Sequence, residues 1–318
     1  MRFERPVSRR EFLKLGAATA AATVAWPWLP MPRRADAEPA PIPTRLLGKT
    51  GVHVTIVGLG GEGILRTWDQ RDKAVAVIRR ALERGITYCD TAPAYSASQD
   101  YYGEALGELR SRIFLASKTH DRSRDGSLRL LEQSLKRLRT DRLDLWQLHN
   151  LNTVDELDVI FGKHGAIHAL EQARREGMVR FLGITGHYDP AVLVEAIRRY
   201  PFETVLVALN VADRVRLSFI DELLPVAHEQ GLGIVGMKVV AKGHLLRPDG
   251  VSTMRDALGY VLSLPISTAI VGFRSPAEVD EVVELAQRFA PFSPEEMAHL
   301  EALAKPYVSE ASSFKRGG

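Results

Sequence analysis

Four side chains able to give, take or polarise a proton, Asp90, Tyr95, Lys118 and His149, stand at or just after the ends of apolar, β-branched runs. Each alone has a plain structural use: an aspartate capping a turn, a loop tyrosine, a surface lysine, a core histidine. Together they resist that explanation. An aspartate and a lysine that end neighbouring strands are expected to meet, and a phenol and an imidazole beside them would complete a set suited to proton transfer.

The runs that carry them belong to a longer series. Val54-Gly58, Thr87-Thr91, Ile113-Lys118, Leu143-His149, Phe181-Thr185, Thr204-Asn210, Gly233-Lys238 and Thr268-Gly272 all read as strands buried on both faces. Amphipathic stretches separate them. In the first, Ala74, Val77, Ile78, Ala81 and Leu82 form one apolar helical face. Strict alternation of this kind demands parallel pairing with right-handed crossovers, and eight units predict an α/β fold, a single closed (β/α)8 TIM barrel. The rival is a doubly wound open sheet. It is disfavoured because the strand–helix units number eight, the count that closes a barrel. In a barrel, chemistry belongs at the carboxyl ends of the strands, where the four residues fall.

The first 37 residues read differently. Arg2, Arg5, Arg9, Arg10 and Lys14 precede an apolar run from Leu15 to Leu29, and small residues follow at Ala35-Asp36-Ala37, the layout of a signal peptide. Within it, Ser8-Arg9-Arg10-Glu11-Phe12-Leu13-Lys14 resembles the twin-arginine signal, which directs folded cargo to the Tat translocase. The apolar run is short and interrupted by Pro27 and Pro30, so no stable membrane span is expected after cleavage. The segment carries 7 of the 42 basic and 3 of the 39 acidic residues; the remainder is close to neutral, with no basic footprint for nucleic acid. A lone cysteine, Cys89, excludes an intramolecular disulfide. The expected organisation is a signal peptide at 1–37, a Pro-rich tether at 38–44, a barrel domain at 45–307 and a C-terminal tail at 308–318.

Gly85-Ile86-Thr87-Tyr88-Cys89-Asp90-Thr91-Ala92-Pro93-Ala94-Tyr95, followed by Tyr102-Gly103-Glu104-Ala105-Leu106-Gly107, resembles the aldo-keto reductase signature. The resemblance runs on through Ser117-Lys118, Asp144 to His149, Gly177 to Ile184 and Ile270-Val271-Gly272. It implies a barrel whose floor is plugged by a short N-terminal hairpin around Leu47-Gly48-Lys49-Thr50-Gly51. It also implies that Asp90, Tyr95, Lys118 and His149 form the family's catalytic tetrad. Tyr95 would serve as general acid for an alkoxide, Lys118 would lower its pKa, Asp90 would keep Lys118 charged, and His149 would orient the substrate oxygen.

The same resemblance implies a nicotinamide nucleotide, NADP with NAD possible, held by Gly61, Thr185, Asn210, Met237, Lys238, Gly243, Gly272, Arg274 and Ser275. Departures stand out here. After the fifth strand, where many members place serine or threonine and then asparagine, the run is Thr185-Gly186-His187; Leu206 replaces a common glutamine, and Glu278 stands where an arginine would meet a 2′-phosphate. No metal is expected; His164 and His168, four apart on a helix, read as surface residues. His187 is open between capping its loop and lining the pocket. Ser293-Pro294-Glu295-Glu296 predicts a capped extra helix at the C-terminal end. Short segments after Asn210 and Val240 predict an open site. The expected function is an exported NAD(P)-dependent oxidoreductase acting on a small-molecule carbonyl or alcohol. The alternative is a nucleotide-binding accessory or regulatory module with little turnover. The expected destination is the periplasm or another extracytoplasmic space.

Overall fold

The computed structural model describes residues 40–317. The signal peptide and residues 38–39 of the tether lie outside the described residues. Ten strands form: β1 (Thr44–Leu46), β2 (His53–Thr55), β3 (Val57–Leu59), β4 (Tyr88–Asp90), β5 (Phe114–Thr119), β6 (Leu143–Leu148), β7 (Val179–Gly186), β8 (Thr204–Ala208), β9 (Gly233–Met237) and β10 (Thr268–Val271). β3 to β10 close a barrel in the order β10-β3-β4-β5-β6-β7-β8-β9. Every neighbouring pair is parallel, as the strand–helix alternation requires.

Alternate residues of each strand face two different cores. Inside the barrel, Tyr88, Phe114, Ala116, Leu145, Leu206 and Val235 pack together with Leu47 and Val54 of the hairpin. The rings of Tyr88, Phe114 and Phe181 stack at 5.5 and 6.1 Å. On the outer face, Cys89, Leu115, Trp146, Leu182 and Val205 meet the helices. The helix Arg71–Glu83 turns Ala74, Val77, Ile78 and Ala81 inward and leaves its arginines outside. Each fully buried aliphatic contributes about 1.5–3 kcal/mol, so the two cores together hold the barrel without a disulfide.

The hairpin β1–β2 plugs the amino-terminal mouth, because Gly48 and Gly233 let backbones touch. A side-chain carbon at Gly48 would lie 2.1 Å from the Gly233 nitrogen, and one at Gly233 would strike Leu47. Lys49 N–H also donates to the Gly231 carbonyl at 2.8 Å. At the other end of the domain, Ser293 caps the helix Pro294–Ala304 in a reciprocal box with Glu296.

Strand boundaries need correction at several points. The run Val54-Gly58 is not one strand: His53–Thr55 belongs to the plug and Val57–Leu59 to the barrel. Ile56 N–H donates to Pro43 and Ile56 carbonyl accepts from Ala269, which turns the chain between the two sheets. An unbroken β-branched run carries no local mark of such a switch. His149, Asn210, Lys238 and Gly272 lie just past their strands, at the mouth. Residues 308–317 are packed in part on the barrel: Ala311, Ser312 and Lys315 are buried.

Candidate active site

The mouth is built around a buried ion pair. Lys118 and Asp90 are completely covered, and the Lys118 ammonium donates to Asp90 Oδ1 and, at 3.0 Å, to the Thr91 carbonyl. β4 and β5 are neighbours in the barrel, so strand closure brings these side chains together. The second carboxylate oxygen, Oδ2, accepts from Gln147 Nε2 at 3.2 Å. Gln147 lies on β6 opposite Lys118, and like it points into the barrel. Burial is the strongest single influence and works against the ammonium, but the charges and hydrogen bonds of Asp90 and Tyr95 together outweigh it and hold Lys118 above its ordinary pKa. Lys118 is therefore a fixed cation.

Tyr95 lies across that cation. The Lys118 nitrogen is 4.6 Å from the ring centroid, and the Arg66 guanidinium, paired with Glu62, is 5.5 Å from it. His149 meets the same ring edge-on, with centroids 5.6 Å apart and planes at 86°. Gly61 makes this arrangement possible, since a side-chain carbon there would lie 2.8 Å from the Asp90 carbonyl and 2.9 Å from Tyr95 Cδ2. Burial raises the Tyr95 pKa above the ordinary phenol value; Lys118 pulls it down without reversing the shift. Desolvation thus opposes the lowering expected from the lysine.

His149 is held from the backbone. Its amide N–H donates to Thr119 at 2.8 Å, and Arg122 binds the carbonyls of His149 and Asn150 at 2.9 and 3.0 Å. Burial, then the charges of Lys118, His120, Arg122 and His187, depresses its pKa to about 2. The imidazole is neutral, so it can donate one hydrogen bond but cannot act as an imidazolium.

The residues expected to hold a nucleotide fall on the remaining strand ends. Thr185 Oγ1 accepts from Asn150 N–H at 2.8 Å, which leaves the hydroxyl hydrogen free to donate. Asn210 spends its oxygen on Ala212 N–H at 3.0 Å, closing its own turn. Met237 ends β9. Lys238, Ala241, Lys242 and Gly243 all have positive φ, and the amides of Ala241 and Gly243 close this left-handed turn onto the carbonyls of Lys238 and Val240 at 2.8 Å each. Gly272 runs against the loop after β3: a side-chain carbon would sit 3.0 Å from the Glu62 carbonyl carbon. Ser275 caps the helix Pro276–Gln287, and Glu278 folds back to accept from Arg274 N–H at 2.7 Å. That carboxylate occupies the positive end of the helix, where a phosphate would compete with it.

Several site residues carry no short-range sequence signal. Gln147 stands inside Asp144 to His149 but only closure of the barrel aims it at Asp90. Arg66 and Glu62, four apart after β3, carry no mark in the sequence of the Tyr95 ring that packs beside them. His187 proves half-buried, with its ring edge-on to Phe314 at 5.6 Å, near the C-terminal end. Burial, then Lys238, lowers its pKa to about 4.

A sequence profile of the aldo/keto reductase family matches residues 56–249, more than half of the chain, and one for the twin-arginine translocation signal matches residues 6–26. An uncharacterised oxidoreductase of Bacillus subtilis, YqkF, is 30% identical over 68% of this chain and 72% of its own length. L-galactose dehydrogenase of Arabidopsis thaliana is 28% identical over 83% of this chain and 95% of its own. An aldo/keto reductase of Klebsiella pneumoniae, solved with NADP and acetate, superposes with a TM-score of 0.67 at 25% identity, covering 83% of this chain and 95% of that one.

Proposed function

The chain belongs to the aldo/keto reductase family and carries a twin-arginine signal, and from that premise we propose that it is an exported enzyme that reduces an aldehyde or ketone to an alcohol, with Tyr95 as the proton donor. The observation that carries this reading is the buried Lys118–Asp90 pair beneath the Tyr95 ring, with His149 edge-on to it.

A substrate carbonyl oxygen in this site is polarised by a neutral His149 N–H and by the Tyr95 hydroxyl. Reduced nicotinamide, when bound, supplies hydride to the carbonyl carbon. Negative charge then gathers on the oxygen, and Tyr95 passes it a proton. The phenolate left behind faces the Lys118 ammonium, which Asp90 keeps charged. Because burial raises the Tyr95 pKa, the tyrosine holds its proton throughout the neutral range. A protonated Tyr95 is the form that reduction uses, and alcohol oxidation would run through its phenolate.

Thr185 and Met237 would flank the nicotinamide. Lys238 and the left-handed turn through Gly243 would take the phosphates, and Gly61 and Gly272 would give the backbone close approach. Asn210 would support this wall through its turn. Arg274 and Ser275, at the start of the helix Pro276–Gln287, would meet the adenosine end. NADP is the nucleotide we assign, supported by Arg274 and by the NADP found in the Klebsiella relative. Glu278 works against it and leaves NAD able to bind. The twin-arginine signal supports a periplasmic destination, reached after the barrel has folded around its nucleotide.

Stopped-flow mixing of NADPH-loaded protein with a panel of aldehydes, followed by nicotinamide absorbance, tests the assignment. Wild type should oxidise NADPH in a substrate-dependent burst, and Tyr95→Phe should lose about 10²–10⁴-fold in rate. Equal rates in the two proteins would remove Tyr95 from the mechanism, and no oxidation with any aldehyde would favour an accessory module.

A further inference from the structure

Residues 312–317 cross the mouth of the barrel and are sewn to three of its strand ends. The anchor is Lys315, whose side chain is 1% exposed. Its ammonium donates to Asp213 Oδ1 at 2.6 Å and to the carbonyls of Asp213, Arg216 and Leu217 at 2.9, 2.8 and 2.9 Å. Asp213 uses its other oxygen for Ile220 N–H at 2.9 Å and Ser218 Oγ at 3.1 Å. The pair is thus fully hydrogen-bonded inside the loop that follows β8. On either side of Lys315 the segment makes further ties. Arg316 N–H donates to the Tyr188 carbonyl at 2.9 Å and its guanidinium pairs with Asp189 at 3.1 Å, in the loop after β7. Arg216 in turn binds the carbonyl of Gly317 at 2.7 Å.

These ties fix Phe314 in place. Its ring lies edge-on to His187, just past β7, and under the Lys238 ammonium, just past β9, at 5.5 Å from nitrogen to centroid. Three consecutive mouths, those of β7, β8 and β9, are therefore bridged by one short segment. Thr185, Asn210 and Lys238 stand at those same mouths. The open site expected from the short loops after Asn210 and Val240 is partly filled by chain from the far end of the sequence.

We propose that Phe314 and Lys315 are nucleotide-retaining residues: Lys315 latches residues 312–317 across the β7, β8 and β9 mouths, and Phe314 covers the nucleotide beside Lys238. This rests on the assignment of those mouths to a nicotinamide nucleotide. Among the described residues no hydrogen bond, ion pair or ring contact joins the latch to the tetrad, so it governs how fast nucleotide leaves and not how fast hydride moves. The latch suits an enzyme exported with its cofactor, because free nucleotide to replace a lost one is scarce outside the cytoplasm. A buried ammonium with four acceptors opens seldom, since each opening must return both charges to water.

The test is the release rate of NADPH from the loaded protein, read as loss of NADPH fluorescence on mixing with excess NADP. Two variants separate latch from cover. Asp213→Asn with Lys315→Met removes both charges together and leaves no lone buried charge to unfold the loop. Phe314→Ala keeps the latch and removes the ring. The double variant should release NADPH at least about tenfold faster and Phe314→Ala severalfold faster, with single-turnover hydride transfer from pre-bound NADPH retained in both. Release at the wild-type rate in both variants, with wild type binding NADPH and reducing an aldehyde, overturns the latch alone. Failure of wild type to bind any nicotinamide nucleotide overturns the latch and the reductase assignment together.

Discussion

Gln147 donates its side-chain amide to Asp90 Oδ2 at 3.2 Å, the oxygen that Lys118 leaves free. The carboxylate is fully buried and makes no other side-chain hydrogen bond among the described residues, so its orientation rests on these two donors. Replacing Gln147 with leucine strips one of them and leaves a charged oxygen unsatisfied, a loss of about 1–3 kcal/mol. We expect kcat for aldehyde reduction to fall by about tenfold or more with KM little changed, and Gln147→Asn to fall between leucine and wild type. A change confined to thermal stability would show that Gln147 serves packing alone.

His149 and His187 make folding stability sensitive to acid. Their pKa values in the folded protein lie at about 2 and about 4, below the ordinary histidine value of 6.5. The unfolded chain therefore binds more protons in that interval. Stability contributed by the neutral rings is present above about pH 6.5 and is lost as pH falls toward the folded values. Denaturant midpoints measured from pH 8 down to pH 5 should fall, and His149→Gln should flatten that slope. An unchanged slope in His149→Gln would mean the ring titrates freely in the folded protein.

Gly61 is a steric requirement of the tyrosine, whatever it also does for the nucleotide. Gly61→Ala drives a carbon against the Asp90 carbonyl and the Tyr95 ring, both within 3.0 Å. Tyr95 must shift, and a misplacement near 1 Å costs about 10²-fold in rate. The far-ultraviolet spectrum should be preserved while kcat drops; full activity in this variant would show that the loop yields without moving the ring.

We propose that Glu278 sets the balance between the two nucleotides. Its carboxylate lies at the start of the helix Pro276–Gln287, bonded to Arg274 N–H. Glu278→Gln keeps an acceptor for that bond and removes the charge that repels a 2′-phosphate. The ratio of NADP to NAD affinity should rise by roughly three- to tenfold, with NAD affinity nearly constant, in titrations of the purified protein. Parallel changes for both nucleotides would place Glu278 away from the 2′-position.

Much of the barrel is legible in the sequence because its signals are short-ranged. A strand buried on both faces announces itself as an apolar run, and the helix that follows repeats its apolar residues every three to four positions. The run Val54 to Gly58 misleads for the same reason: Ile56 hands the chain from hairpin to barrel through bonds to Pro43 and Ala269, and neither partner is local. Asp90, Lys118 and His149 are recognisable at strand ends, and Tyr95 in the loop just beyond one. Gln147 is not, since nothing within its own strand says which carboxylate it will face.

By itself the sequence determined the chemistry available to this protein: a phenol, an ammonium, a carboxylate and an imidazole spaced by strand–helix units, behind a twin-arginine signal. Those features are written in residue type and period. Only the tertiary structure decided the balance among them. Burial raises Tyr95 against the pull of Lys118, and it keeps His149 neutral. Lys315 finds Asp213 across 102 positions of chain. Desolvation and distant pairing exist only once the barrel has closed, because both depend on which surfaces have left water and on which chain ends then meet.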